Sequence, residues 1–255
     1  MMDLASRRFT WLYARSQVKL KYRYTSLGFL WNLLEPALFL GVLSFVFSVV
    51  NRMSIADYAV FLFSALIPWR YFEKVVNTCM DSIVQGDWLI KKLPVSPFAL
   101  PLSRWMVASV EFAFSFAVVL ALVAALHERW TVHVAVLPLA ALLWSLAGLG
   151  AGLLAAALFT FFRDVRPLVQ LALMFAFFSA PILFRPDLFP AGSLQGTLVA
   201  WHPLTYLAAL FQKPIHAGAW PSGWDWAVSA ATAVTTLALG TAAVQRHRSR
   251  FYFYV

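Results

Sequence analysis

Six long apolar segments decide what this chain can fold into. They run over residues 27–50, 58–80, 105–126, 134–162, 167–184 and 226–244. A bilayer core is crossed by about 20 mostly apolar residues in a helix. A globular chain of 255 residues cannot hide six such stretches from water, so their solvent must be lipid. The composition agrees: 62% of the residues are apolar and only 12% are charged, roughly half the charged share of soluble domains. The expected class is an all-α integral membrane protein with six transmembrane helices. A single transmembrane domain then covers residues 1–255, with no soluble domain left over.

The formal charge of +9 is not the mark of a nucleic-acid binder, which would carry a basic patch on a soluble fold. Here the basic residues sit at the ends of spans. Arg7, Arg8, Arg15, Lys19, Lys21 and Arg23 precede the first span, and Lys91, Lys92 and Arg104 lie between the second and third. Arg163 and Arg166 lie between the fourth and fifth, and Arg246, Arg248 and Arg250 follow the sixth. That places 14 on one side against four on the other, Arg52, Arg129, Arg185 and Lys213. Arg70 and Lys74 fall inside span two. The positive-inside rule then puts both termini in the cytoplasm. The basic N-terminal stretch and the apolar run after it are both too long for a cleavable signal peptide, so the first span is expected to be retained. Cys79 is the only cysteine. It excludes an internal disulfide and reads as a small buried side chain.

Several segments depart from a plain span-and-loop pattern. Residues 4–24 read as an amphipathic helix, with Phe9, Leu12, Tyr13 and Leu20 along one face and Arg8, Arg15, Lys19 and Arg23 along another. Residues 1–26 thus suit an interface helix on anionic lipid, or a simple topology anchor. Span one carries Glu35-Pro36 one turn after Trp31. This is either a lining face or a glutamate near the inner interface tied to an N-terminal arginine. Span two holds Arg70, Glu73 and Lys74, flanked by Trp69, Tyr71 and Phe72. Arg70 and Glu73 can pair on one helix face. The aromatics form an interface belt or the wall of a polar conduit on which sugar rings stack.

Residues 81–104 make a large cytoplasmic loop that reads as a helix on the membrane surface, closed by Pro94 and Pro97. It is long enough to dock a partner. Span three holds Glu111. Span four contains Gly148 and Gly152, a G-x-x-x-G that permits close helix contact in lipid. Residues 185–225 hold two apolar pieces, 194–201 and 204–211, each too short to cross and suited to re-entrant or interfacial helices. There is no H-E-x-x-H, no G-x-S-x-G and no phosphate-binding G-x-x-x-x-G-K-[ST]. The five histidines show no ligand spacing. No metal, cofactor or ATP-hydrolysing site is read in the chain. Any ATP and Mg belong on a partner, unless an ion gradient drives transport.

Specific residues resemble a known family. The run Lys21-Tyr22-Arg23-Tyr24-Thr25-Ser26-Leu27-Gly28, then Trp31 and Glu35-Pro36, is similar to the opening of ABC-2 type permeases. The likeness continues at Pro68-Trp69-Arg70-Tyr71-Phe72, Leu89-Ile90-Lys91-Lys92, Phe162-Arg163-Asp164-Val165, Pro181-Ile182 and Pro203-Leu204. These segments keep the family's order and cover most of the chain. The branch resembled is the Wzm type, which exports lipid-linked polysaccharide such as O antigen in lipopolysaccharide biosynthesis.

The resemblance implies the ABC-2, or type V exporter, fold in a bacterial inner membrane. It implies a homodimer with two copies of a separate ABC ATPase and an undecaprenyl-linked polysaccharide as substrate. The channel-lining residues would be Trp31, Glu35, Trp69, Arg70, Tyr71, Phe72 and Glu73. Asp87, Trp88, Lys91 and Lys92 would couple to the ATPase, and Phe189, Trp201 and His202 would form the periplasmic gate. One departure is His202, where the family often has asparagine, which leaves the hydrogen bonding of that corner open. Alternatives are an ABC-2 exporter of capsule, teichoic acid, lipid or drug. A lipid-modifying enzyme using Glu111 or Glu35 lacks partners for acid–base work.

Overall fold

The computed structural model describes residues 4–22, 31–93, 95–126, 132–190, 192–248 and 251. Among these the chain is helical throughout, with no strand. The helices are α1 (Leu4–Tyr22), α2 (Trp31–Val50), α3 (Ile55–Gln85), α4 (Asp87–Lys92), α5 (Ala99–Leu126), α6 (Leu137–Phe161), α7 (Val165–Ser179), α8 (Leu194–Trp201), α9 (Pro203–Gln212) and α10 (Gly223–His247). A 3-10 turn, Val132–Val136, leads into α6, and a π-turn, Lys213–Ala217, extends α9.

Two helices are long and apolar enough to cross a bilayer unaided among the described residues. They are the run 132–161 and α10. The end of α2 and α3 meet the same standard as a pair bent by 113° across residues 51–54. The helix starts follow local chemistry. Ser54 caps α3 by accepting from the Asp57 amide at 3.1 Å. Ser222 and Asp225 form a reciprocal capping box on α10, satisfying donors that a helix start leaves orphaned.

The apolar segments predict the helices well, with three differences. Helix α3 runs on to Gln85, so α4 is a single short helix rather than one crossing most of the 81–104 loop. Helix α7 stops at Ser179, five residues before the expected end of span five. The chain then turns through Pro181, and Ala180, Ile182 and Leu183 are buried. On α1, Phe9 and Tyr13 pack inward, whereas Leu12 and Leu20 are exposed beside the basic residues.

The centre of the bundle is α3. It packs on α5, α6 and α2, and α6 in turn lies along α10. Contacts gather at two ends. At the basic end Ser96 N–H donates to Ser6 Oγ at 3.0 Å, Arg104 to Gln17 Oε1 at 3.1 Å, and Arg166 pairs with Asp81. At the other end Asn51 and Tyr58 donate to the Leu183 carbonyl at 3.1 and 2.7 Å, and Gln212 to that of Pro181 at 2.8 Å.

The glycines of α6 divide their work. Gly148 and Gly152 face α3: an added methyl would meet Phe72 at 3.4 Å and Cys79 at 2.8 Å, respectively. Gly150 faces the other way, where a methyl would overlap the backbone of Thr236 and Leu237 on α10. Gly240 of α10 meets the Gly150 carbonyl in the same way. Small residues let helices approach closely in lipid. Gly150→Ala or Gly240→Ala should therefore cost about 1–3 kcal/mol or more by overpacking, seen as a lower unfolding temperature in detergent. Gly148→Ala, with ordinary contact distances and a gain of roughly 0.5–1 kcal/mol in helix propensity, should be neutral or stabilising.

Candidate functional site: a polar cleft on the central helix

Arg70 is the midpoint of α3, with 15 residues of helix on either side. At about 1.5 Å per residue it lies roughly 22 Å from each end. Two clefts meet at this level. One, of about 280 Å³, lies between α3 and α5 and is lined by Arg70, Tyr71, Glu73, Lys74, Asn77 and Glu111 among others. The second lies between α3 and α7 and adds Trp69, Gln170 and Phe177. Arg70, Glu73 and Asn77, spaced i, i+3 and i+7, line both. They form a polar ridge along one face of the helix.

Glu111 anchors the first cleft from α5. Its side chain is 4% exposed. Lys21, in the last turn of α1, meets Oε1 at 2.6 Å, and Lys74 of α3 meets Oε2. One carboxylate therefore ties three helices. A buried carboxylate is costly without such partners, and each lysine lays its stem along the protein while its head stays partly exposed.

The aromatic residues of the span-two motif take different positions. Tyr71 is 2% exposed. Its hydroxyl bridges Ser109 of α5 at 2.8 Å and Ser145 of α6 at 2.7 Å. Trp105 also donates to Ser145, at 2.9 Å. The Tyr71 ring stacks on Phe112 with centroids 4.5 Å apart. This is a joint between three helices. Trp69 stacks on Phe72 and tilts against Phe177, both at 5.7 Å, and Phe72 meets the edge of Trp144. Arg70 and Glu73 are the members of the motif that open onto both clefts. The side chains of Trp31 and Glu35 lie outside the described residues.

At the basic end, α4 is pinned by Leu89, which is buried in a second apolar cluster with Ile83, Leu100 and Leu153. Trp88 is 55% exposed. Asp87 and Lys91 pair across one turn at 3.7 Å, and Lys91 and Lys92 are exposed. At the other end Trp201 is 83% exposed. It continues an apolar stripe with Leu194 and Leu198 along α8. Phe189 packs edge-on against Phe184 at 5.2 Å. His202 sits between α8 and α9 and caps α9: Nδ1 accepts from the Leu204 amide at 3.2 Å. That closes the corner left open in the sequence, because an asparagine oxygen caps a helix in the same way.

The residue pattern does not single out Lys21 and Lys74 as partners of Glu111. The signal available was a lysine and a glutamate each placed inside a span, where such charges seek one another.

Three outcomes follow from this geometry. Glu111→Gln removes the counter-charge of both lysines and should cost about 1–3 kcal/mol, measured as loss of thermal stability. Tyr71→Phe removes the bonds to Ser109 and Ser145, which keep their bonds to Trp105, and should cost about 0.5–1.5 kcal/mol by the same assay. Burial lowers the His202 pKa, and the cap needs Nδ1 unprotonated. The cap's contribution is then complete above the ordinary histidine value, about 6.5, and is lost as pH falls through the lower folded value. The protection factor of the Leu204 amide, which corrects for the intrinsic slowing of exchange at lower pH, should fall more between about pH 7.5 and about pH 5 than those of neighbouring amides. His202→Asn should abolish that excess.

No protein-family model matches the chain. Curated relatives do. The O-antigen export system permease protein RfbA of Klebsiella pneumoniae is 29% identical over 179 residues, covering 68% of this chain and 67% of the relative. The RfbA protein of Myxococcus xanthus is 27% identical over 235 residues, covering 92% and 90%. The polysialic acid transport protein KpsM of Escherichia coli is 23% identical over 231 residues, covering 89% and 88%. The motif resemblance and these alignments agree, and the chain is similar to O-antigen and polysaccharide export permeases.

Proposed function

We propose that the chain is the membrane-spanning subunit of an ATP-driven exporter that moves lipid-linked polysaccharide out of the cytoplasm. It acts as a transport subunit and not as an enzyme. The observation that carries the reading is the alignment with O-antigen permeases over as much as 92% of the chain. The polar ridge halfway along α3 supports it, because charged groups at that depth require protein or water beside them. In this reading a second copy of the chain covers the open flank of the ridge and encloses a conduit. ATP and Mg sit on a separate ABC ATPase, present in two copies.

The six spans of this reading are α2, α3, α5, the run 132–161, α7 and α10. Helix α7 has 15 residues, about 22 Å of rise, and needs the turn 180–185 to complete its crossing. Irregular backbone is tolerated at membrane depth where it is buried and hydrogen-bonded. The bonds from Asn51, Tyr58 and Gln212 supply that. Helices α8 and α9, at eight and ten residues, act as the re-entrant pair at the periplasmic exit. The basic end then faces the cytoplasm of a bacterial inner membrane, with both termini there. Trp88, Lys91 and Lys92 on α4 present the surface that meets the ATPase.

The test is reconstitution with the partner ABC ATPase. Asp87→Ala combined with Lys91→Ala should leave both subunits folded and lower export of cell-surface polysaccharide by about tenfold or more relative to ATP hydrolysed. Export and assembly both surviving that change would refute the coupling role of α4. A strain deleted for this gene that still displays its polysaccharide would refute the exporter reading.

A further inference from the structure

The cleft between α3 and α7 is closed at one end by an ion pair that continues both of its walls. On α3 the ridge of Arg70, Glu73 and Asn77 has its next member at Asp81, 11 residues or about three turns from Arg70. On α7 the opposite wall is Gln170, Leu173 and Phe177, and the step before them on that face is Arg166. Trp69 meets Phe177 at one level and Asp81 pairs with Arg166 at another. The two helices therefore run antiparallel, and these contacts bracket the cleft. Among the described residues Asp81 and Arg166 form no other ion pair. Arg166 also lies over the buried ring of Phe159 at the end of α6, its Cζ 5.0 Å from the centroid, which holds the guanidinium in place. Otherwise α7 is lightly held. Leu173 is its one buried side chain, and Leu168, Leu171, Phe175 and Phe178 on its far side are each more than half exposed. The end of α7 is anchored, because the turn after it is bonded by Asn51, Tyr58 and Gln212. Its start is held by the pair, whose side chains are 19% and 43% exposed, and an ion pair so open to solvent is weak.

We propose that the Asp81–Arg166 pair is a latch across the end of this cleft nearest α4, and that Asp81 and Arg166 are positioning residues for its α7 wall. Closed, the latch joins the two walls just beyond Asn77 and Gln170. Open, it frees the start of α7 to swing from α3, pivoting on the bonded turn at its other end, and the cleft widens toward α4. Asp81 stands six residues before the start of α4, roughly 9 Å along the helix, so a displacement of α4 acts close to the latch. The inference rests on the exporter reading for what the cleft admits. The latch itself stands on the geometry of α3 and α7.

The test uses the purified full chain in nanodiscs, with no ATPase. Leu173→Cys puts a thiol in the cleft, and the native Cys79 is fully buried and stays silent. The probe is a charged maleimide, and the rate of labelling is read. Asp81→Asn and Arg166→Gln should each speed labelling by about two- to fivefold, the range set by a partly exposed ion pair. Exchanging the charges, Asp81→Arg with Arg166→Asp, should return most of the way to the rate of Leu173→Cys alone, and Arg166→Lys should stay near it. A loss of packing would not be repaired by that exchange. Asp81→Asn and Arg166→Gln labelling no faster would overturn the latch, as would an exchange that labels as fast as they do. Should Arg166→Gln not assemble, Asp81→Asn, which keeps the guanidinium over Phe159, is read against the exchange. A second measurement adds the ATPase. Asp81→Cys with Arg166→Cys, joined by a short bis-maleimide, should lose the export that the unjoined chain shows, and undiminished export after complete joining would overturn the latch. Labelling needs neither ATPase nor substrate. Its failure refutes the latch and leaves the exporter reading standing, whereas a latch that opens as expected, in a chain whose deletion leaves the surface polysaccharide intact, refutes the reading and spares the latch.

Discussion

A carboxylate buried where Glu111 lies is costly unless cations come to it, and that requirement organises the polar half of the bundle. The cations arrive from two directions, Lys74 from α3 and Lys21 from α1. An amphipathic helix that would otherwise be free to lie on a membrane surface is thereby brought in against α5. Ser6 and Gln17 add contacts nearer its start, to Ser96 and Arg104. Each of these bonds is worth about 1 kcal/mol net in ordinary circumstances. Together they fix the position of α1 at its beginning, middle and end.

The same accounting governs the neutral polar groups. Tyr71, Ser109, Ser145 and Trp105 satisfy one another across three helices. The carbonyls freed where α7 ends are taken by Asn51, Tyr58 and Gln212. In α10, Thr232, Thr236 and Thr241 donate to carbonyls one turn back in their own helix. Hydroxyls in an apolar helix need no outside partner when they do this. The groups named here are satisfied within the bundle, whereas the Trp144 indole N–H and the Ser44 and Ser229 hydroxyls are buried with no hydrogen-bond partner among the described residues.

Much of this was legible in the sequence. Apolar run length gave the long helices, and the sorting of Lys and Arg separated the two ends, because both are one-dimensional properties. Span two was recognisable as irregular from its charges. The role of each residue within it was not, since Tyr71 and Arg70 are neighbours in sequence and yet turn toward different surroundings. The Lys21–Glu111 contact joins residues 90 apart, and no local pattern predicts it. The G-x-x-x-G of span four correctly marked a close approach, to α3. The glycine between its ends makes the closer approach, to α10, and only the facing Gly240 reveals that. His202, read from sequence as a departure from the pattern resembled, caps α9 through Nδ1.

The crossing of α6 and α10 at Gly150 and Gly240 brings two backbones into direct contact. Side chains at an ordinary helix interface act as bearings, since they can change rotamer and let one helix slip by a fraction of a turn. Here there are none to do so, and displacing either helix along its axis would drive backbone into backbone. The pair is the stator of the molecule. A change in the shape of the two clefts would fall to α5 and α7, which meet α3 through side chains, and to α1, which is tied to α5.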